Sequence, residues 1–315
     1  MSDLIKTVQI IINPASGQDA PMLAVMNRAF KAANIDWDVK LTKEAGDAER
    51  FAREAVAAGV DAVGVYGGDG TVMEVASGLQ GTRTPLAIFP GGSANVMSVE
   101  LGIPGNLEEA VALVSSEARQ FREIDMGRLG DQQMFMLRLG IGLFAETTKG
   151  ADREVKNRIG ALAYGLSALQ ALPKAQKSVY TITLDGGESV QAEGMAAFIA
   201  NSSSLGLPGL TLAKKASVSD GLLDVIVLTD MTIGTLMQAA ANAMGLAEDL
   251  PHWQAKSIRL EADPPQSIEC DGEIIHDTPV TASIIPNAVR VIVPNPATVQ
   301  DVKQAVSAAT PPSAR

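Results

Sequence analysis

The chain has 315 residues, of which 46% are hydrophobic and 19% charged, enough to bury the cores of two ordinary domains. A net charge of −11 argues against broad binding to nucleic acid, which needs a basic face, and no run approaches the roughly 20 apolar residues that span a bilayer. One cysteine, Cys270, excludes an intramolecular disulfide and a cysteine-based zinc cluster, and two histidines, His252 and His276, are too few for a histidine-rich metal site.

The N-terminus, MSDLIK, passes directly into an apolar run with no basic region and signal core, so a cytoplasmic protein is expected. VQIII (residues 8–12) reads as a buried strand that ends in the turn formers NPASG (13–17). A helix over about 21–33 and a half-buried strand, WDVKL (37–41), follow. Ala48, Phe51, Ala52, Ala55 and Val56 then share one helix face, and Gly59 closes that helix. The strand at 62–66 runs into GGDG (67–70). A helix is expected to begin at Thr71, with Thr71 and Glu74 spaced as a capping box. LAIF (86–89) is a further strand, PGGS (90–93) a further glycine turn, and two short helices reach about residue 116.

Strands alternating with helices predict a parallel sheet, in which ligands bind beyond the C-terminal strand ends. The turns after Ile12, Tyr66 and Phe89 all lie at such ends and are expected to converge on one crevice. The pattern changes near residue 121. REIDMGRL (122–129) and MFMLRL (134–139) read as paired strands around a turn at Asp131 and Gln132. A helix with basic residues at its start is marked by Val155, Ile159, Leu162, Leu166 and Leu169. After it come short alternating segments at 179–184, 196–200, 222–228, 257–260, 266–271, 280–284 and 289–293, as in an antiparallel domain. Residues 231–250 read as helical, and the tail from 294 as a helix that frays, with packing back on the first domain left open.

A strand, a glycine turn and a helix start together present free backbone N–H groups and the positive end of a helix dipole, which is an anion site. GGDGT carries an aspartate where a Walker loop carries lysine, and no G-K-[ST] follows it. Further along the chain lie DGLLD (220–224) and DGE (271–273).

These pieces, in this order, resemble the diacylglycerol kinase catalytic-domain family, which includes bacterial lipid kinases and sphingosine kinases and is related in fold to NAD kinases. NPASG resembles the family's N-P-x-S-G, GGDGT is identical to its own motif, and PGGSAN (90–95) with LGIP (101–104) resembles P-x-G-T-x-N, with Ser93 for the usual threonine. RIGALAY (158–164), DGLLD, and DGE with TPV (278–280) keep the family order, so the likeness runs from about residue 8 to 293.

The resemblance implies a Rossmann-like α/β nucleotide domain (residues 1–121), a mainly antiparallel β lipid-substrate domain (122–293), a C-terminal segment (294–315), and an active site in the cleft between the domains. It implies that ATP is held by Asn13, Ser16, Thr42, Gly67, Gly68, Asp69, Gly70, Thr71, Val72, Met73, Ser93 and Asn95. Asp69 is implied to organise Mg²⁺ and the γ-phosphate, and Glu273 to take the proton from a lipid hydroxyl. A structural Mg²⁺ is implied at Asp220, with main-chain oxygens near Ser217 and Leu222; Asp125 is a further member of the carboxylate network. Many bacterial relatives carry aspartate at the position of Val96, so one carboxylate of that network is absent here.

The expectation is an ATP- and Mg²⁺-dependent lipid kinase acting at a membrane surface, with diacylglycerol the first acceptor and a sphingoid base the second. Peripheral contact with an inner membrane face and a homodimer are compatible with the chain. The rivals are an NAD kinase, whose characteristic Asn-Glu pair occurs nowhere in this sequence, and a binding protein that has lost phosphate transfer. Cys270, His252 and His276 read as structural or surface residues.

Overall fold

The computed structural model describes residues 4–16, 21–130, 133–142, 177–207, 210–211, 216–229, 250–271 and 273–295. The basic-headed helix expected over 155–169, most of the helix expected over 231–250, and the tail beyond Asn295 lie outside the described residues.

The N-terminal third forms four parallel strands, β1 (Thr7–Ile12), β2 (Asp36–Leu41), β3 (Ala62–Gly67) and β4 (Leu86–Pro90), in the order β2-β1-β3-β4. Strand β3 is buried along its whole length, as a central parallel strand with two covered faces must be. Helices α1 (Met22–Ala32), α2 (Asp47–Ala58), α3 (Asp69–Leu79), α4 (Val96–Glu100) and α5 (Leu107–Leu113) connect the strands or follow them. Gly59 ends α2 in the left-handed region, with φ +75°.

The expected capping box is not formed. Helix α3 begins two residues early, at Asp69, so Thr71 lies inside its first turn, and the N-cap, Gly68, makes no side-chain cap bond. The Glu74 carboxylate instead accepts from Ala48 N at 3.1 Å, tying α3 to the start of α2. The two helices touch at Gly78, where a Cβ would stand 2.5 Å from Glu49 O and 2.7 Å from the Ala52 Cβ.

Beyond α5, strand β5 (Arg119–Leu129) pairs antiparallel with the short β6 (Gln133–Phe135). MFMLRL is not one strand. It breaks after Phe135, and β7 (Arg138–Gly142) belongs to a second sheet. The chain continues through β8 (Ser178–Leu184), β9 (Ser189–Gly194), β10 (Ala196–Ala200), the paired β11 (Ser204–Leu207) and β12 (Leu210–Thr211), and β13 (Leu223–Leu228). Strands β14 (His252–Ala255), β15 (Ser257–Asp263), β16 (Ser267–Cys270), β17 (Glu273–Asp277) and β18 (Val280–Pro294) follow. The two segments read as separate strands near 280 and 289 are thus one 15-residue strand. The reason is a bulge between Ile285 and Val289, where Asn287 takes φ +50°, which interrupts the hydrophobic alternation without ending the strand.

Strand β18 joins the two halves of the molecule. It runs parallel to β4 at Val291–Leu86, antiparallel to β5 on its other edge, and antiparallel to β15 in its first half. The sheet therefore continues as β2-β1-β3-β4-β18-β15-β8-β9, through the pattern change at residue 121. The second sheet is antiparallel, in the order β14-β13-β10-β7-β16-β17. One apolar cluster fills the α/β part, and a second, including Phe135, Leu139, Tyr180, Ile199 and Leu260, fills the space between the β elements.

The chain changes sheets at residues 136–138, where regular pairing is interrupted and backbone groups need other partners. Asp271 supplies them. Its carboxylate accepts from Met136 N (2.9 Å), Leu137 N (3.2 Å) and Arg138 N (2.9 Å), while its own N–H donates to Arg138 O at 3.2 Å. Asn201, fully buried, completes the crossing. Its Nδ2 donates to Met136 O (2.8 Å) and Asp125 O (3.0 Å), and its N–H donates to Leu137 O (2.9 Å). Asp271 takes φ +44°, a left-handed conformation that Asp tolerates better than most residues. Burial pushes its carboxyl up to about 6, outweighing the amides of Arg138 and Met136, which pull it down.

Two outcomes follow from this packing. Glycine to alanine inside a helix ordinarily stabilises, but Gly78→Ala should destabilise by about 1–3 kcal/mol, because the clash is with backbone; urea denaturation measures it. For Asp271, the folded-state value near 6 lies above the ordinary carboxylate value of about 3.9. The folded protein then binds the proton more tightly, so this contribution is present at pH 4 and is lost as pH rises through 6. Unfolding free energies of the wild type relative to Asp271→Asn should fall by about 2 kcal/mol between pH 4 and 7. Parallel profiles for the two proteins would show that the carboxyl is not shifted.

Candidate active site

The three glycine turns meet where β1, β3 and β4 end. After β1, Asn13 folds its loop upon itself: Oδ1 accepts from Ala15 N at 3.0 Å, and its carbonyl accepts from Ser16 N at 3.0 Å. Its N–H reaches Tyr66 O on β3 (3.0 Å), and its Nδ2 donates to Thr71 Oγ1 (3.0 Å) in the first turn of α3. The second and third turns touch backbone to backbone. Gly91 N donates to Gly67 O at 3.0 Å, and a Cβ on Gly92 would lie 2.6 Å from the Gly68 Cα. That approach is open only to glycine. Asn95, at φ +47°, closes the third turn with two bonds to Gly92, at 2.8 and 2.7 Å.

Of the expected nucleotide contacts, these turns bring together Asn13, Ser16, Gly67, Gly68, Asp69, Gly70, Thr71, Ser93 and Asn95. Ser93 and Gly70 are exposed, and a Cβ on Gly70 would meet nothing within 4 Å, so the mouth of the α3 N-terminus is open to a ligand. Thr42 extends the β2 side, its N–H bonded to Ile12 O at 2.9 Å. Val72 is different: its side chain is in the core and its N–H is spent on Gly68 O at 3.0 Å. Met73 also packs against the core.

Asp69 occupies the first turn of α3, where the helix dipole favours a negative charge. Its Oδ1 accepts from Met97 N at 3.2 Å, so the carboxylate also receives the first turn of α4. Burial nonetheless raises its carboxyl above the ordinary value; the Met97 and Val96 amides and the charge of Arg138 oppose that rise. Val96, where the resemblance leads a carboxylate to be expected, is buried with its amide turned toward Asp69.

At its other end α4 is fastened to the segment that follows β10 of the second sheet. Glu100 accepts from Ser202 Oγ (2.9 Å), Ser203 Oγ (3.3 Å) and Ser204 N (2.8 Å). Ser204 O accepts from Arg138 Nη1 at 3.2 Å, and Arg138 N is bonded to Asp271. A connected path thus runs from Asp69 through α4 to the hairpin of β16 and β17. Glu273 begins β17, opposite Cys270, and is exposed; among the described residues no hydrogen bond or ion pair joins it to Asp69. Arg138, Glu100 and the serines at 202–204 were not singled out from sequence. The one available signal was a charged residue in the apolar run MFMLRLGIG, Arg138 being the only Lys or Arg between Arg128 and Lys149.

The expected Mg²⁺ residues form a second acidic site. Asp220 Oδ1 accepts from Leu222 N at 3.0 Å, and Ser217 Oγ accepts from Ser219 N at 3.4 Å. Asp125 is buried, with one oxygen taken by Gly221 N (2.7 Å) and the other by Asn287 N (2.8 Å), so it staples the β18 bulge to the 217–222 loop. Asp224 is engaged by His252 Nε2 (2.6 Å) and Gln254 Nε2 (3.0 Å). Burial, and then the charges of Asp224 and Asp125, raise the Asp220 carboxyl. A nearby cation would relieve that repulsion. The donors at hand are oxygens, which suit Mg²⁺, but no group of three His, Cys, Asp or Glu among the described residues is placed to hold a metal. Mg²⁺ would rest here on Asp220, carbonyls and water.

Comparison with known proteins agrees with this architecture. The diacylglycerol kinase catalytic domain matches residues 7–129, and the YegS C-terminal NAD kinase beta sandwich-like domain matches residues 139–293. The chain is 29% identical over 279 residues to the diacylglycerol kinase of Bacillus subtilis, covering 85% of this chain and 90% of the relative. It is 30% identical over 294 residues to a Pseudomonas aeruginosa protein named "Probable lipid kinase YegS-like", covering 92% and 94%. A crystal structure of a diacylglycerol kinase from Bacillus anthracis superposes with a TM-score of 0.76 at 32% identity, over 93% of this chain and 98% of that one. With its glycine turns, its α/β domain and its β sandwich matched from end to end, the chain belongs to the diacylglycerol kinase catalytic-domain family.

Proposed function

We propose that this protein transfers the γ-phosphoryl group of ATP to a hydroxyl of a membrane-derived lipid, diacylglycerol or a related glycerolipid first, a sphingoid base second. The observation that carries the reading is the stack of glycine turns with Asp69 at the α3 N-terminus, joined through α4, Glu100, Ser204 and Arg138 to the hairpin that bears Asp271 and Glu273. Phosphoryl transfer is mostly positioning and neutralisation of charge. Backbone amides at the turns and the α3 dipole receive the phosphates, and Thr71, held by Asn13, fixes the first turn. Asp69 orients the Mg²⁺ that accompanies the triphosphate. Glu273, exposed at the start of β17, accepts the proton of the lipid hydroxyl, for which it needs reach and a free carboxylate.

A lipid acceptor would be drawn from the membrane surface by peripheral contact; no described helix is long and apolar enough to cross a membrane. An NAD acceptor is disfavoured by the missing Asn-Glu pair.

Purified protein, vesicles and radiolabelled ATP with Mg²⁺ should yield the phosphorylated lipid, and NAD in place of lipid should yield no product. Glu273→Gln and Asp69→Asn should each lower kcat by about 10²-fold or more. Wild-type turnover in either variant removes its assigned role, and ATP binding without transfer to any lipid replaces the kinase by a binding protein.

A further inference from the structure

The glycine turn GGDGT carries aspartate where a phosphate loop usually carries lysine. A triphosphate received there needs a protein cation. Arg138 stands at the first residue of β7 and is half-buried. Its backbone N–H is held by Asp271 Oδ1 at 2.9 Å, which fixes where the side chain leaves the strand. Its Nη1 donates to Ser204 O at 3.2 Å, and Ser204 N is in turn held by Glu100 at the end of α4. The guanidinium is therefore fastened to the element whose other end receives Asp69. Its positive charge opposes the rise that burial imposes on the carboxyls of both Asp69 and Asp271, so one cation acts on the acid at the start of α3 and on the acid between β16 and β17.

We propose that the Arg138 guanidinium binds the terminal phosphate of ATP and stabilises the phosphoryl group in transfer, supplying the positive charge that GGDGT lacks. The proposal rests on the kinase reading above. A guanidinium is a planar fork of five donors that matches phosphate oxygens in pairs, and among the described residues Ser204 O takes one of the five. In the reaction the bond from the γ-phosphorus to the ADP oxygen breaks, and ADP leaves with that electron pair. A bond from phosphorus to the lipid oxygen forms, and the hydroxyl proton passes to the Glu273 carboxylate. Charge on the equatorial oxygens is greatest between those events, and a preorganised cation lowers the barrier there. A cation serving only as counter-ion to Asp69 and Asp271 would instead affect stability, and would treat ATP and AMP alike.

The test uses the full chain with Arg138→Lys and Arg138→Ala, checked for folding by thermal melts. Arg138→Ala should lose about 10²-fold or more in kcat with the lipid KM changed less than about threefold, and Arg138→Lys should fall between it and wild type. Added guanidinium ion, kept below denaturing concentration, should restore at least about tenfold to Arg138→Ala. Calorimetry without lipid should show ATP bound about tenfold more weakly by Arg138→Ala, with AMP affinity unchanged. A kcat within threefold of wild type, or equal losses for ATP and AMP, overturns the assignment. If Arg138→Ala does not fold, Arg138→Lys carries the same comparison, and wild-type values for kcat and for ATP overturn it. A wild type that binds ATP but phosphorylates no lipid sinks the kinase reading alone, because the ATP–AMP contrast still decides the role of Arg138. A wild type that binds no ATP sinks both.

Discussion

The three consecutive amides of Met136, Leu137 and Arg138 converge on one carboxylate, Asp271, and the relation of the two sheets depends on that point. A chain leaving one sheet for another exposes backbone groups that the interior cannot leave unpaired. Here the donors go to Asp271, while the Met136 and Leu137 carbonyls go to Asn201. The carboxyl is buried against its own preference, and its raised proton affinity measures that conflict. The same few residues set the direction of Arg138 and place Glu273 two positions beyond the holding group. Fold and chemistry are thus determined by one set of bonds.

The opposite wall follows a different principle. Parallel strands end in step, so the turns after β1, β3 and β4 arrive side by side, and three glycine-bearing loops become one surface. Glycine is required because the turns press together: Gly92 meets Gly68 at a distance that leaves no room for a side chain. What the turns present is bare backbone at a helix start, which attracts anions without any basic residue. Such a loop offers donors to an anion even though it carries Asp69 and the protein has a net charge of −11.

The parallel half was legible because its signals are local. Apolar runs, glycine turns and a 3.6-residue period located β1 to β4 and α1 to α3 to within a few residues. Errors arose where long-range pairing decides. Glu74 was read as a cap for its own helix, yet its carboxylate serves the amide of Ala48 on α2, which the periodicity of α3 cannot reveal. MFMLRL looks like one strand because both sheets offer an apolar environment; the break is imposed by Asp271, 135 residues downstream of Met136. The strand β18 was divided because its bulge imitates a turn. At the site, the motif glycines and acids were recognisable in order and spacing. Arg138 was not, because one arginine in an apolar run acquires meaning only from Ser204 and Asp271, which reach it through space.

Strand β18 also has a consequence for how the chain is made. Translation delivers β1 to β4 early, but the edge of β4 waits for Val291, some two hundred residues later. Until residues 280–294 leave the ribosome, the parallel half has an open strand edge, and β5 lacks the partner that borders it over nearly its full length. The first half cannot be finished in the order in which it is synthesised. Vectorial folding, one domain at a time from the N-terminus, is replaced by a late closure that completes both halves together, and the interval before it is when the nascent chain is most exposed to misassociation.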